Sequence, residues 1–460
     1  MTRTKKRALG GWGPMLLAPA LLLMTACSLD EILEVDTPGR VRDDALRDPA
    51  LAQTLVNGVI GDVECSWDKF VAGTAMHSDE YMPASGNLNM RETGQRKIFA
   101  NHGNHQQGCQ GNGFPMYTPL NIARFQADDI FKRLGEFDPA VVPDQVALQA
   151  SVRAWGGFPI LALSEAFCTT VLSEDEDGDG VSDFGPELTR AEANARAETK
   201  FSEALSLAAP GSATANMAYV GRARARLNQG DYAGAIADAQ MVPDGFIQQA
   251  TRDGSQGSRF NYNWEQMNDP GPNFNNHGSI TPSFRGLTVN ASGEHTQDDG
   301  VPDLRVNAMT NNELAADFAT IHWFHDKTSS RGSPVTVASY TEAQLFIAEA
   351  SAQLNDLPTA IGIINDLHTR AGLPTWAGST DQDEVLRHVL DERRRELFVE
   401  GGHRLNDMLR FRGTPYEIPF LGEPGSDHPN GVDQTGAEYG DVTCFELPLV
   451  EQLNNPNVGG

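Results

Sequence analysis

An acidic loop is the clearest candidate for ion binding in this sequence. It carries four closely spaced carboxylates, those of Asp175, Asp177, Asp179 and Asp183. Gly180 stands at the sixth position of this loop, and oxygen ligands around such a sharp turn are the pattern of a calcium-binding loop. The glutamate that usually completes the pattern at the twelfth position is absent, because Pro186 stands there. The sequence therefore allows either a calcium ion with a structural role or a solvated acidic loop.

Aromatic rings beside amides or carboxylates, in segments without helical character, are candidates for ligand contact. Flat rings can stack on the apolar faces of a sugar or peptide while polar groups fix its hydroxyls. The residues in this setting are Trp67, Asp79, Tyr81, Tyr262, Trp264, Phe274 and Trp323. Each ring taken singly can equally be a packing residue, so both roles remain open for each.

Motifs typical of enzymes are absent from the sequence. It contains no nucleophile elbow, zinc-protease helix, phosphate-binding loop or dinucleotide fingerprint. Asp79 and Glu80 are the first carboxylate pair to consider for glycoside hydrolysis, but adjacent acids are common in a chain with 62 of them. We therefore predict a protein that is not an enzyme and requires no cofactor, with calcium as the one candidate ion.

The arginine run Arg393–Arg395 could in principle bind an anion. Glu392 and Glu396 stand at helical spacing from these arginines, which favours a structural ion network instead. His403 follows two glycines, and we expect it to pack or cap rather than to bind a ligand.

Helical hairpins are expected to position these groups. Apolar residues recur every three or four positions within 340–371, and a short Asn-Asp-Leu-Pro joint folds that segment into two antiparallel helices. Residues 218–239 have the same character, with small residues at the contact and a joint at Gly230, and resemble a tetratricopeptide repeat. Hairpins of this kind must stack to bury their apolar faces. The pattern predicts a mainly α fold.

Two long regions without helical character separate the helices. They cover about residues 62–115 and 245–335, and loops of this length are either functional or disordered. A further helical pair is expected within 144–170, interrupted at Gly156-Gly157 and Pro159. Since region 245–335 divides the two hairpins, we expect an interrupted scaffold rather than a continuous solenoid.

The first 26 residues have the pattern of an export signal. Four basic residues precede a short apolar stretch, and small residues then precede Cys27. This arrangement resembles a bacterial lipoprotein box, with ordinary signal cleavage as the alternative. Lipid on Cys27 would hold the protein at a membrane surface, with 27–42 as a tether and 43–460 as the folded domain.

The other four cysteines are Cys65, Cys109, Cys168 and Cys444. An exported chain meets an oxidising compartment, so two disulfides with three possible connectivities are available. Cys65 and Cys109 lie in polar, loop-like stretches and are expected to pair. Cys168 lies in an apolar helical run, where a buried thiol is the simpler expectation.

The charge of the chain argues against a nucleic-acid partner. The formal net charge is −27 at pH 7, and the export signal removes four basic and no acidic residues when it is cleaved. Such an acidic chain, without a basic stripe, repels phosphate groups. We expect no nucleic-acid binding, and membrane attachment by lipid rather than by charge.

Segments near the C-terminus carry a family resemblance. Residues 348–350 (Ala-Glu-Ala), 360–374 (Ala-Ile-x-Ile-Ile-Asn-Asp-Leu-x-Thr-Arg-Ala-Gly-Leu-Pro) and 392–404 (Glu-Arg-Arg-Arg-Glu-Leu-x-x-Glu-Gly-x-x-Arg) resemble the C-terminal half of the SusD/RagB family. Asp303-Leu-Arg305 is similar to the family's Asp-Pro-Arg signature, with leucine in place of proline, and 444–457 resembles its closing motif.

The resemblance implies both an architecture and a role. The implied fold is an α/α superhelical scaffold of tetratricopeptide-like hairpins with a long, loop-rich, ligand-facing region. The implied role is that of an outer-membrane lipoprotein facing the cell exterior, which binds an oligosaccharide or other nutrient and delivers it to a SusC-like TonB-dependent transporter. One alternative is a lipid-anchored helical-repeat scaffold for protein interactions without a small ligand. Another is a surface hydrolase.

Overall fold

Helices form most of the regular structure. The computed structural model describes residues 45–111, 113–174, 183–271 and 275–459, and the architecture below is that of the unit 47–460. The export signal, Cys27, the tether, Phe274 and three of the acidic-loop residues (Asp175, Asp177 and Asp179) lie outside the described residues. In chain order the helices are α1 Ala52–His77, α2 Leu88–Gly94, α3 Tyr117–Glu136, α4 Gln145–Ala166, α5 Arg190–Leu207, α6 Ala213–Asn228, α7 Tyr232–Ala239, α8 Tyr340–Gln353, α9 Leu357–Arg370, α10 Gln382–Glu396, α11 His403–Arg410 and α12 Leu449–Asn454.

The helices pack one on the next in a continuous stack. Helix α1 contacts α3 and α4, and the series then runs α4 on α5, α5 on α6, α6 on α7 and α7 on α8. Helix α8 contacts both α9 and α10. The expected interruption therefore exists in the sequence but not in the packing, because α7 meets α8 across region 245–335. The mainly α fold with tetratricopeptide-like hairpins is confirmed.

Short strands lie mostly, but not only, in the two loop-rich regions. They are β1 Tyr81–Pro83, β2 Thr169–Val171, β3 Glu187–Thr189, β4 Ile247–Ala250, β5 Gly278–Ile280, β6 Leu287–Val289, β7 His295–Gln297, β8 Val301–Pro302, β9 Ala308–Met309, β10 Phe324–His325 and β11 Val335–Ser339. Antiparallel pairs join β1 to β5, β2 to β3, β4 to β11 and β9 to β10, and β6 lies between β7 and β8.

The β4–β11 pair explains why the stack is continuous. Strand β4 follows α7, strand β11 precedes α8, and their register places Val335 opposite Ala250 and Ser339 opposite Ile247. The chain thus leaves and re-enters the helical stack at one place, and residues 251–334 form an insertion closed at its base by this two-stranded sheet. Ser339 also caps α8, since its side chain accepts a hydrogen bond from the Glu342 N–H.

Helix α1 is longer than the sequence indicated. It continues through residues 62–77, which we expected to belong to a loop-rich region. Charged residues in that stretch are buried and paired with the insertion: Glu64 accepts hydrogen bonds from Thr251, and Asp68 from the Tyr262 N–H. Because these partners are distant in the sequence, the buried charges looked like loop residues. The prediction of a loop at 62–77 was wrong.

Helix α4 is a single helix where we expected an interrupted pair. Pro159 lies within it, and Gly156 and Gly157 serve close packing instead of breaking it. A side-chain carbon at Gly156 would lie 2.5 Å from the Ala127 methyl group of α3, and one at Gly157 would lie 2.5 Å from the Phe201 ring of α5. Glycine at both positions lets three helices approach closely.

Two disulfides join later segments of the chain to the helical stack or its edge. Cys65 of α1 bonds to Cys109, and Cys168 bonds to Cys444. The expectation of a buried free thiol at Cys168 was wrong, because the chain near Phe445 returns to pair with Phe167 and brings Cys444 within reach.

By length and composition alone, helix α4 could cross a bilayer. In this fold 78% of its most apolar window is buried inside the protein, as expected for the central helix of a folded core.

A candidate ligand-binding cavity

Three of the six rings that we expected to contact a ligand, those of Trp67, Tyr81 and Tyr262, are buried in the core. Trp67 is fully buried, with its ring centroid 5.2 Å from that of Phe70 and 5.4 Å from that of Phe158. Its indole Nε1 donates to the Thr336 carbonyl at 2.8 Å, which ties α1 to β11. The expectation that Trp67 offers a stacking surface was wrong, because both its ring and its polar atom are used within the fold.

Tyr262 is buried as well. Its hydroxyl donates to the Gly113 carbonyl at 2.5 Å, and the Lys69 ammonium lies 2.9 Å from its ring centroid. Burial lowers the pKa of Lys69 to about 7. Tyr262 therefore joins the insertion to α1 and is not available as a ligand platform.

The carboxylates of Asp79 and Glu80 are committed to structural contacts. Arg404 donates to both oxygens of Asp79, and the Val399 N–H donates to Glu80 Oε1 at 2.7 Å. Burial raises the pKa of Glu80 to about 8. Both side chains are buried and bonded within the fold, so the expectation that Asp79 contacts a ligand was wrong.

Two of the expected rings remain partly accessible. Trp264 is half-buried, with the Arg331 guanidinium 5.8 Å from its ring centroid. Trp323 is half-buried, with the Arg285 guanidinium 4.6 Å from its ring centroid. Both stay predictions as ligand contacts. Of the acidic loop only Asp183 is described; it is exposed, and its N–H donates to the Glu174 carbonyl at 2.7 Å.

The arginine run forms the ion network that the sequence indicated, with different partners. Arg393 pairs with Asp407 at 2.9 Å, and Arg395 pairs with Asp391 at 2.9 Å. Glu392 and Glu396 instead form ion pairs with Arg305 of the insertion. His403 is buried with its Nε2 at 3.1 Å from Glu342, consistent with a packing role.

Two neighbouring cavities lie at the base of the insertion. The first, which we call the Asn263 cavity, has a volume of about 170 Å³. The second, the Arg305 cavity, has a volume of about 250 Å³. Both have Lys327, Thr336 and Glu400 in their walls. The two cavities therefore lie on either side of a shared wall that Lys327, Thr336 and Glu400 form, and we call them together the depression.

The floor of the Asn263 cavity holds buried polar atoms. Asn263 is 3% exposed, and neither its Oδ1 nor its Nδ2 makes a hydrogen bond of regular geometry to another described residue. The hydroxyl of Tyr81 is buried beside this amide, and the two side chains interact with each other. An unsatisfied buried polar group costs about 1–3 kcal/mol. Because these atoms are closed off from water in this arrangement, a ligand in the cavity reaches them only if the side chains around them move.

His325 adds an oriented donor to the same cavity. Its Nδ1 accepts from the Lys327 N–H at 3.1 Å, and burial lowers its pKa to about 3. The ring is therefore neutral near pH 7, with its proton on Nε2. That Nε2 is buried and has no protein partner.

The rim of the depression mixes charge with exposed apolar groups. Lys327 pairs with Glu400 at 2.8 Å, and its ammonium also donates to the Phe398 carbonyl at 3.1 Å. Leu304 and Ile247 line the Arg305 cavity and are 69% and 53% exposed. An amide, an imidazole and hydroxyls below an apolar rim suit a ligand with many hydroxyls and an apolar face.

Backbone strain marks the same place. Val399 lines the Asn263 cavity at a φ of +52°, in the left-handed region that a β-branched residue rarely adopts. The Glu80 carboxyl group holds its N–H. Strained residues of this kind cluster at ligand-binding positions.

The residues predicted from the sequence and the residues that line the cavity lie in the same segment but are different side chains. The amides beside Tyr262 were noticed as its neighbours, and Asn263 is the one that faces the cavity. His325 and Lys327 were missed, because their role depends on strand β10 meeting Asn268 of a π-helical turn: the Asn268 amide donates to the His325 carbonyl at 2.9 Å.

Comparison with known proteins identifies related folds. Residues 323–441 match the model of the SusD family. A SusD-like carbohydrate binding protein from Bacteroides vulgatus ATCC 8482 is 16% identical, with a TM-score of 0.64 over 89% of this chain and 97% of its own. Surface glycan-binding protein A from Bacteroides uniformis is 13% identical, with a TM-score of 0.61 over 90% and 99% of the two chains. No curated protein sequence matches this chain.

Proposed function

We propose, from the SusD/RagB family resemblance that these comparisons confirm, that this protein is a non-catalytic glycan-binding protein of the cell surface. The observation that carries the proposal is the Asn263 cavity, a polar pocket at the base of the insertion whose lining includes Asn263, His325 and Lys327. A sugar hydroxyl can both donate and accept, so one sugar ring can satisfy the amide and the imidazole together.

The dimensions of the site fit a single sugar unit with extensions. Sites for whole drug-sized ligands have volumes of about 300–1,000 Å³. The Asn263 cavity, at about 170 Å³, is smaller. We infer that one ring enters it, and that further units follow the shared wall at Lys327 toward the Arg305 cavity and the apolar rim at Leu304.

Delivery to a transporter completes the proposed role. The export pattern before Cys27 supports lipid attachment at the outer membrane, and the family resemblance supports a SusC-like TonB-dependent partner. A binding protein held beside a transporter raises the local concentration of its ligand there. Calcium in the acidic loop remains part of the proposal as a structural ion.

Calorimetric titration with a panel of soluble oligosaccharides tests the binding role. The wild-type chain is expected to bind at least one glycan saturably. Asn263→Ala is expected to weaken that binding about 5- to 150-fold, because it removes contacts worth about 1–3 kcal/mol. Asn57→Ala, an exposed asparagine on α1, is the matched control and should leave the affinity unchanged. Equal affinity in both variants would contradict the assignment of the site.

Co-purification tests the partner. The full chain is recovered from native membranes in mild detergent, and its partners are identified by mass spectrometry. A large β-barrel transporter in near-equal amount is the expected result. Recovery without any barrel protein would contradict the delivery role while leaving glycan binding intact.

A second candidate function, a protein-interaction scaffold, is favoured by one observation. A groove of about 440 Å³ lies between the helical hairpins, with Arg190, Asn228, Gln229 and Asn406 in its walls. Polar side chains in a helical-repeat groove can receive an extended peptide. Partners retained by a chain that binds no glycan would support this function instead.

A further inference from the structure

Histidine and glutamate side chains from three separate elements converge beside the insertion. His295 belongs to β7, His368 to α9 and Glu392 to α10. The His295 Nε2 lies 2.8 Å from Glu392 Oε2, the His368 Nε2 lies 3.1 Å from the same oxygen, and the two nitrogens are 3.3 Å apart. Three potential ligand atoms therefore surround one point.

Each imidazole has an oxygen atom close to its outer nitrogen. The His368 Nδ1 lies 2.7 Å from the Pro374 carbonyl oxygen, which can only accept, so Nδ1 carries a proton. The His295 Nδ1 lies 2.7 Å from an oxygen of Asp391. Carbonyl and carboxylate groups at this position are the usual partners of histidines that bind a metal through Nε2.

This arrangement turns lone pairs toward one another. A neutral His368 presents a bare Nε2 to Glu392 Oε2, and two acceptors at hydrogen-bond distance repel unless a cation or a proton lies between them. Protonating both histidines would place two positive rings 3.3 Å apart. A divalent cation resolves the conflict for all three atoms at once.

The spacing matches a tetrahedral transition-metal site. Zinc binds imidazole nitrogen and carboxylate oxygen at about 2.0–2.2 Å, which places neighbouring ligand atoms about 3.3 Å apart. The three observed separations, 2.8, 3.1 and 3.3 Å, are close to that value. The side chains of His368 and Glu392 are completely buried and that of His295 is 6% exposed, so an ion there would be shielded from water.

His388 supplies a fourth candidate ligand. It precedes Glu392 by one helical turn on α10, so both lie on the same face. Ring nitrogens of His295, His368 and His388 lie within 4.8 Å of one another, and the His388 Nε2 is buried without a partner. The ring is stacked between Trp376 and His295, with centroids 4.0 and 4.1 Å away, so it must tilt out of this stack to reach an ion bound by His295.

The surrounding charges allow a cation. Four carboxylates meet three arginines around the cluster; the groups are Asp303, Asp391, Glu392, Glu396, Arg305, Arg394 and Arg395. Arg305 contacts both oxygens of Glu392, with its Nη2 3.3 Å from Oε2. These groups leave one negative charge in excess. Either a metal ion or one protonated histidine can balance it.

We propose that His295, His368 and Glu392 bind a transition-metal ion, with zinc the expected metal and His388 the fourth ligand. The ion would fasten β7 of the insertion to helices α9 and α10. Because Arg305 lies between Glu392 and the Arg305 cavity, the ion would also fix one wall of the depression. The proposal does not depend on glycan binding or on a transporter.

Cobalt substitution tests the site directly. The full chain, without a histidine tag, is freed of metal with a chelator and then titrated with Co²⁺. The buffer contains calcium, which competes with cobalt for the acidic loop. One equivalent should produce the intense visible absorption of four-coordinate cobalt, and zinc should displace it. X-ray absorption of the zinc-loaded wild type should show nitrogen and oxygen neighbours at about 2.0–2.2 Å.

Variants locate the ion. Loss of a group that only orients a metal ligand lowers metal affinity about 10- to 100-fold. His368→Ala removes a ligand itself and should lower zinc affinity by more than that. His428→Ala, which removes a half-buried histidine outside the cluster, should retain the wild-type affinity. Zinc should also raise the melting temperature of the wild type. Absence of one-equivalent binding in the wild type, or equal affinity in both variants, would overturn the proposal and leave a cluster joined by protons.

Discussion

Arg404 of α11 donates two hydrogen bonds, of 2.6 and 2.5 Å, to the carboxylate of Asp79, 325 residues earlier in the chain. Both residues are at least nine-tenths buried. The pair joins the last helices of the stack to the turn that follows α1, next to the Val399 backbone that lines the Asn263 cavity. It shows that acids which looked like ligand contacts hold the site's frame together.

Removing one partner of this ion pair should destabilise the fold strongly. Arg404→Met leaves the Asp79 carboxylate buried without compensation, which typically costs about 3–5 kcal/mol. Arg370→Met is the matched control, because Arg370 and Asp244 form an ion pair whose side chains are 52% and 61% exposed. Chemical denaturation should show a much smaller loss of stability for the control, because its two charges are solvent-exposed. Equal losses would contradict the structural role of the Asp79 pair.

Glu80 should give stability a distinct pH dependence. Burial raises its pKa from 4.5 to about 8, so the folded state binds a proton more tightly than the unfolded state. Its stabilising contribution is complete below pH 4.5 and is lost as the pH rises through 8. One pKa unit corresponds to about 1.4 kcal/mol, so the change should amount to a few kcal/mol.

The comparison with Glu80→Gln isolates this effect. As the pH rises from 4.5 to 8, the unfolding free energy of the wild type should fall relative to that of the variant. Exposed Glu313→Gln controls for the loss of one carboxylate. A difference that does not change with pH would show that Glu80 does not titrate as described.

Close helix packing at Gly221 predicts an overpacking defect. A side-chain carbon at this position of α6 would lie 2.3 Å from the Phe201 ring, so Gly221→Ala should cost about 1–3 kcal/mol. Phe201→Leu in the same chain should recover part of that loss. Gly362→Ala on α9 is the control, because no atom lies within 4 Å of the added carbon. It should be neutral or stabilising by up to about 1 kcal/mol, since alanine favours helix more than glycine.

The Cys168–Cys444 disulfide should stabilise the C-terminal segment. It joins residues 276 positions apart and fastens the strand-like bridge between Phe167 and Phe445. Replacing both cysteines with alanine should cost about 2–5 kcal/mol, because a long loop is released in the unfolded chain. In that variant, limited proteolysis should cleave the chain first within residues 412–460. Unchanged thermal stability and proteolysis would contradict this role.

The sequence predicts local elements better than the site. Periodic apolar residues in 340–371 are sufficient to specify the hairpin of α8 and α9, because that signal is local. Residues 62–77 were mistaken for loop because Glu64 and Asp68 are buried by partners about 190 residues away. The continuity of the stack depends on β4 meeting β11, which no local pattern indicates.

Candidate ligand residues were misjudged for a related physical reason. Rings such as Trp67 fit both a ligand platform and a core, and only packing decides between them. Asn263 and His325 face one cavity because two distant segments meet at the base of the insertion. Likewise the His388 and Glu392 spacing was visible in the sequence, but His295 and His368 reach it only through the fold.

A crystal structure of the protein with a bound oligosaccharide tests the central claim most directly. We predict one sugar ring in the Asn263 cavity, with hydroxyls within hydrogen-bond distance of the Asn263 amide and the His325 Nε2. Further units should extend past Lys327 toward Leu304. A glycan bound instead in the groove between the helical hairpins, with the Asn263 cavity untouched, would contradict the account.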